Sequence, residues 1–212
     1  MASGDGGQGG APQFVRESEL LRRAFALADD AHAGQRRRAG DAYVSHPVET
    51  ARRLREVGAG DETVAAALLH DVVEKADLGL GDVVERFGVE VGELVAALTE
   101  DPSIEPWTER KRALREQVAE SGRTATEIYA GDKLSNVVDL RRLYAQQGEA
   151  AADASYAVPL EVRIRAWHED LAMVSRELPG FDPVDELRAE LEGLERDRSE
   201  ARHRSGLSSQ VT

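Results

Sequence analysis

Apolar residues along this chain recur three and four positions apart and almost nowhere alternate with polar ones. That period is helical, so the pattern predicts an all-α fold. From Arg16 to Ala33, the residues Leu20, Leu21, Ala24, Phe25, Leu27, Ala28 and Ala31 form one amphipathic stripe. His32 falls near its end, where a structural or dipole-compensating role suits it better than a ligand's. Pro47 suits the first position of a helix over Val48–Val57. After the break at Gly58–Gly60, Asp61 can cap a central helix that reaches Glu74. Shorter patterns cover Asp82–Phe87 and Val89–Leu98, parted by Gly88, and Trp107–Ala119 reads as a charged surface helix. Thr124–Tyr144 reads as a buried helix and Gln146–Ala154 as a polar connection. Val158–Leu178, anchored by Trp167, and Val184–Arg204 close the chain, with His168 and His203 on the surface. Residues 1–12 are Gly-rich and read as a disordered tail, and 205–212 as a frayed end. One domain over 13–204 remains.

The central helix carries the first chemistry. Ala65-Ala66-Ala67-Leu68-Leu69 runs straight into His70-Asp71, and Glu74 follows at i+4 from the histidine. On an unbroken helix these three polar side chains share one face. Burying them is costly unless something compensates them, and a divalent cation does so economically, because imidazole and carboxylate both donate to it. An isolated His-Asp pair is more often a helix cap or a surface ion pair. A second segment changes that balance. In Thr124–Tyr144, the stripe Ile128, Leu134, Val137, Val138, Leu140 sets Asp132 and Asn136 side by side near the core. His46, held just ahead of Pro47, adds another imidazole. His46, His70, Asp71 and Asp132 are thus four candidate ligands on three separate helices or helix junctions.

Composition narrows the partners. The net charge of -13 argues against a general nucleic-acid or anionic-membrane binder, yet Arg36-Arg37-Arg38 concentrates cations in one turn. Either a solvated loop or an anion site fits that cluster. There is no cysteine, which excludes disulfides and thiolate ligands. No signal peptide and no apolar run of membrane-spanning length is seen, so a cytoplasmic protein is expected.

The order H…HD…D, together with His32-Ala-Gly-Gln35, Arg37-Arg38-Ala-Gly40, Tyr43-Val-Ser-His46-Pro47, Ala67-Leu-Leu-His70-Asp71-Val-Val-Glu74, Phe87-Gly88, Thr99 and Asp132-Lys133-Leu134-Ser135-Asn136, resembles the HD phosphohydrolase superfamily. The surrounding residues are similar to its (p)ppGpp-hydrolase branch, the hydrolase domain of RelA/SpoT homologues and small alarmone hydrolases. The resemblance covers about residues 18–145 and continues more weakly to Trp167.

It implies an HD-domain helical bundle in which His46, His70, Asp71 and Asp132 hold one divalent metal, Mn²⁺ by analogy. Glu74 would orient or deprotonate a water. Arg37, Arg38 and Lys75, with Lys133 and Asn136 beside the metal, would meet the nucleotide. The implied activity is 3′-pyrophosphohydrolysis of (p)ppGpp to GDP or GTP and pyrophosphate, within the stringent response. No stretch resembles a synthetase domain, so degradation alone is expected. Two positions depart from the family: Lys75 stands where an Asp is usual, and Tyr129 where a Lys is. Lys75 favours an alternative, an HD phosphatase acting on another mono- or dinucleotide. A silent nucleotide-binding regulator is a third reading, opposed by the intact ligand set. The oligomeric state is open.

Overall fold

A computed structural model of the chain describes residues 11–76 and 78–208, with side chains described through Arg204. Of the expected tails 1–12 and 205–212, residues 1–10 and 209–212 lie outside the described residues, while 205–208, expected to fray, continue the last helix. Among the described residues there are eleven helices, and extended pairing is limited to one antiparallel bridge between Arg36 and Ala42. The helices are α1 Gln13–Arg16, α2 Glu19–Ala31, α3 Ser45–Glu56, α4 Asp61–Leu69, α5 Val72–Lys75 and α6 Leu80–Phe87. They continue with α7 Val89–Leu98, α8 Trp107–Glu120, α9 Arg123–Ala154, α10 Leu160–Glu177 and α11 Asp182–Ser208.

The middle of the bundle is α4, where every residue from Val64 to Leu69 is fully buried. A helix apolar on all sides has no solvent face, so α2, α3, α7 and α9 surround it. The long helix α9 in turn supports α3, α10 and α11. Gly131 lies where α9 meets α3. A Cβ there would sit 3.3 Å from Thr50 Cγ2, so the missing side chain is what lets the two helices approach. That approach brings the start of α3, with His46, against Asp132.

Several boundaries differ from the sequence reading, four of them near the site or its supports. The first stripe is broken at Ser18, whose backbone is extended, and the Arg22 guanidinium ties α2 back to Arg16 O at 2.8 Å. Helix α3 starts at Ser45, before Pro47; the proline sits in the first turn, where its missing N–H leaves no bond unmade. Gly60 caps α4, and Asp61 is its first residue. Helix α9 also continues through the expected polar connection to Ala154, kinking at Gly148 (φ 80°).

Candidate metal centre and its cavity

The expected unbroken helix through His70 and Glu74 is instead two helices. Helix α4 stops at Leu69 and α5 begins at Val72. The ring Nδ1 of His70 donates to Ala67 O at 2.8 Å, the carbonyl an uninterrupted helix would offer to Asp71 N–H. This bond also fixes the tautomer, leaving the Nε2 lone pair facing the cavity. His70 Nε2 is buried and has no hydrogen-bond partner.

His46 comes from the first turn of α3 and Asp132 from α9. The ring Nδ1 of His46 meets Ser135 Oγ at 3.0 Å, and its Nε2 stands 2.9 Å from Asp132 Oδ1. His70 Nε2 is 3.5 Å from the same oxygen. Ligand atoms of His46, His70 and Asp132 all lie within 4.8 Å of one another, and all three residues are buried. Asn136 Nδ2 donates to Asp132 Oδ1 at 2.7 Å, and Lys133 Nζ to Oδ2 at 2.6 Å. Asp71 stands at the edge of this group, with Oδ2 3.7 Å from Nε2 of each histidine. Tyr43 OH donates to that oxygen at 2.5 Å, while the Lys75 ammonium pairs with Oδ1.

The electrostatics fit a cation. Burial pushes His70 down, but the Asp71 and Asp132 carboxylates outweigh it and hold the imidazole up at about 9. Burial pushes Asp132 up, and Lys133 with the two histidines brings it well below the usual carboxylate range. The two carboxylates thus stabilise a cation at Nε2 of His70, a proton or a metal ion alike, and that atom has no hydrogen-bond partner. This set of imidazoles and carboxylates suits a borderline or hard divalent ion. The Glu74 side chain is 24% exposed; its Oε1 accepts Glu100 N–H at 2.6 Å, and burial of the carboxyl raises its pKa.

These residues line one wall of a cavity of about 230 Å³. The rest of its lining is cationic and aromatic, with Arg38, Lys111, Arg163, Trp107, Tyr156 and Trp167. The Arg163 guanidinium stacks on Tyr156 at 3.8 Å and lies 5.0 Å from Trp107 and 5.7 Å from Trp167. Its Nε is buried without a partner, and burial lowers its pKa to about 10. Lys111 pairs with Glu100, whose backbone holds Glu74. Of the three arginines, Arg38 stacks on Tyr156 at 3.9 Å and reaches this cavity. Arg37 is ion-paired with Asp139 and Arg36 bonds Gly40 O; both line a neighbouring cavity of about 360 Å³ that shares Arg38, Tyr43, Lys75, Asn136 and Tyr156.

Sequence reasoning placed Lys75, Lys133 and Asn136 at the site, and all three line the cavity. It missed the cationic wall, because Lys111 belongs to a helix whose charges read as solvated and Arg163 has no motif around it. The two tryptophans of the chain were the available signal, since both face this cavity. Tyr129, at the departing position, is buried and donates to Asp170 at 2.9 Å. His32 is buried and bonds Gln35 at 3.2 Å, outside the ligand group. His168 is on the surface, paired with Glu195.

A helical bundle with two histidines and an aspartate, drawn from two helices and the break between two others, around one buried point fits an HD domain, and the HD-domain profile matches residues 24–146. The chain belongs to that family. Among its relatives, the mouse guanosine-3′,5′-bis(diphosphate) 3′-pyrophosphohydrolase MESH1 is 41% identical over 130 residues, covering 59% of this chain and 72% of that protein. The Aquifex aeolicus protein of the same activity name is 31% identical over 159 residues, 73% of this chain but only 23% of its own length. The chain thus spans about a quarter of the long bacterial relative. A solved structure described as a metazoan ortholog of SpoT that hydrolyses ppGpp matches with a TM-score of 0.66 and 30% identity, covering 85% of this chain and 96% of that one. No helix among the described residues is long and apolar enough to cross a membrane.

Proposed function

We propose that this chain is a divalent-metal-dependent phosphohydrolase that removes the 3′-diphosphate of (p)ppGpp, giving GDP or GTP and pyrophosphate. The observation that carries it is one cavity lined by two unlike groups. The buried His46, His70 and Asp132 group, with Asp71 beside it, shares that cavity with Lys111, Arg163 and Arg38. A divalent ion, Mn²⁺ in this proposal, would be held by His46, His70, Asp71 and Asp132, where it would acidify water and polarise a phosphoryl oxygen.

The protein's own residues supply the rest. Glu74, fixed by Glu100 N–H, takes the proton from the attacking water, and burial raises its pKa toward that of a usable base. Lys111 and Arg163 take phosphate oxygens in a cavity where aromatic rings exclude water and strengthen each contact. Arg38, stacked on Tyr156, leads into the adjoining cavity, which has room for the base. Water adds to phosphorus, the bond to the ribose 3′-oxygen breaks, and the diphosphate leaves intact. With this substrate, the protein acts in the cytoplasm within the stringent response.

The test is incubation with ppGpp and Mn²⁺ and resolution of products by ion-exchange chromatography. GDP and pyrophosphate in equal amounts are expected. Lys75 beside the ligands favours a second reading, a nucleotide phosphatase with another substrate. Orthophosphate from a nucleoside monophosphate, with no GDP from ppGpp, would establish that reading and remove the first.

A further inference from the structure

Lys75 and Lys133 both contact a carboxylate of the ligand group, but the Lys133 side chain is buried, at 9% exposure, whereas the Lys75 side chain is 38% exposed. Its ammonium pairs with Asp71 Oδ1 and lies 3.8 Å from Glu74 Oε2 and 5.6 Å from the Tyr43 ring. Tyr43 OH occupies the other oxygen of Asp71. Both oxygens of this carboxylate are therefore engaged, and Asp71 falls outside the group whose ligand atoms lie within 4.8 Å of one another. The clamp is built into the backbone as well. Gln35 Nε2 donates to Lys75 O at 3.0 Å, and Lys75 N–H bonds Asp71 O at 3.0 Å, so α5 presents the ammonium to the carboxylate.

We propose that Lys75 is an internal cation that competes with the divalent ion for Asp71 and so sets the affinity of the metal centre. In this arrangement His46, His70 and Asp132 form the standing site. Asp71 joins it only when the ammonium swings away, and a side chain 38% exposed has room to do so. A phosphate oxygen offers the ammonium an alternative partner, so nucleotide and metal would assist each other's binding. The inference rests on the reading that this cavity holds a divalent ion.

The experiment is a Mn²⁺ titration of the whole chain followed by the EPR signal of free Mn²⁺, with the metal-induced rise in Tm as a second readout. Lys75→Met should bind Mn²⁺ about tenfold or more tightly than wild type, because Asp71 is left with an uncompensated charge. Lys75→Arg keeps the cation and should stay near wild type. Unchanged or weaker binding by Lys75→Met, with wild type still binding, would overturn the inference and leave the metal reading intact. Tighter binding by Lys75→Arg equal to that of Lys75→Met would also overturn it. Absence of Mn²⁺ binding in all three proteins would overturn both.

Discussion

The two walls of the cavity are made by opposite means. On the metal side, α3, the α4–α5 break and α9 each contribute one or two polar side chains embedded in otherwise apolar helices. Each is oriented by a named partner: Ser135 for His46, Ala67 O for His70, Asn136 and Lys133 for Asp132. On the cationic side, α8 and α10 contribute cations, and Arg163 is oriented mainly by stacking on rings. A site for a small multivalent ion needs ligand atoms fixed closely, which hydrogen bonds provide. A site for an extended polyanion needs charge in a dry surface, which aromatic packing provides without neutralising it.

That division can be broken most severely at Asp132. Asp132→Ala should remove activity and most metal binding while circular dichroism shows a folded helical protein, an effect beyond the ~100-fold that losing a ligand's hydrogen-bond partner costs. Full metal content in that variant would take Asp132 out of the ligand set. Glu74→Gln should cut kcat by roughly 10²–10⁴-fold at near-normal metal content, since a base and a ligand are different roles on the same wall. Equal metal loss in both variants would merge those roles. On the cationic wall, Arg163→Ala or Lys111→Ala should raise KM about tenfold or more and leave Mn²⁺ affinity unchanged. Arg38→Ala should act in the same direction, whereas Arg37→Ala should chiefly unpair Asp139. A fall in metal content for Arg163→Ala would show that the walls are not separable.

The smallest expected effect lies outside both walls. Arg198 and Arg202 hold Glu161 down at about 2. A depressed carboxylate contributes stability above its unfolded pKa and loses it as pH falls through about 4 toward the folded value. Its side chain is 60% exposed, so screening limits the contribution to below ~1 kcal/mol. Glu161→Gln should therefore lower urea stability slightly at pH 7, by less as the solution is acidified, with metal affinity and KM untouched.

The His/Asp cluster was legible in the sequence because each candidate ligand sits in a local pattern: a histidine before a proline, a His-Asp pair after an alanine-leucine run, an aspartate four residues before an asparagine. The all-α period and the bounds of α7 and α8 were equally local. The break at His70–Asp71 was not, because no Gly or Pro marks it; a side chain taking one backbone carbonyl makes it. The cationic wall was not legible either. Lys111 and Arg163 acquire their role from Trp107 and Tyr156, neighbours supplied by tertiary packing. Among three adjacent arginines, composition alone cannot tell which is spent on Asp139 and which faces the ligand.

Gly131 gives the proposed metal centre a gauge that a protein engineer could reset. The 3.3 Å left for a Cβ against Thr50 is short by a few tenths of an ångström, so an alanine there would ease α3 away from α9 by that order. His46 rides on α3 and Asp132 on α9, one residue from the contact. Their spacing is thus tuned from behind, by a position outside the candidate ligand group and its cavity. Mn²⁺ and Mg²⁺ want short bonds and Ca²⁺ wants bonds longer by a few tenths of an ångström. Ion preference in this scaffold could then be redesigned at a residue without a side chain.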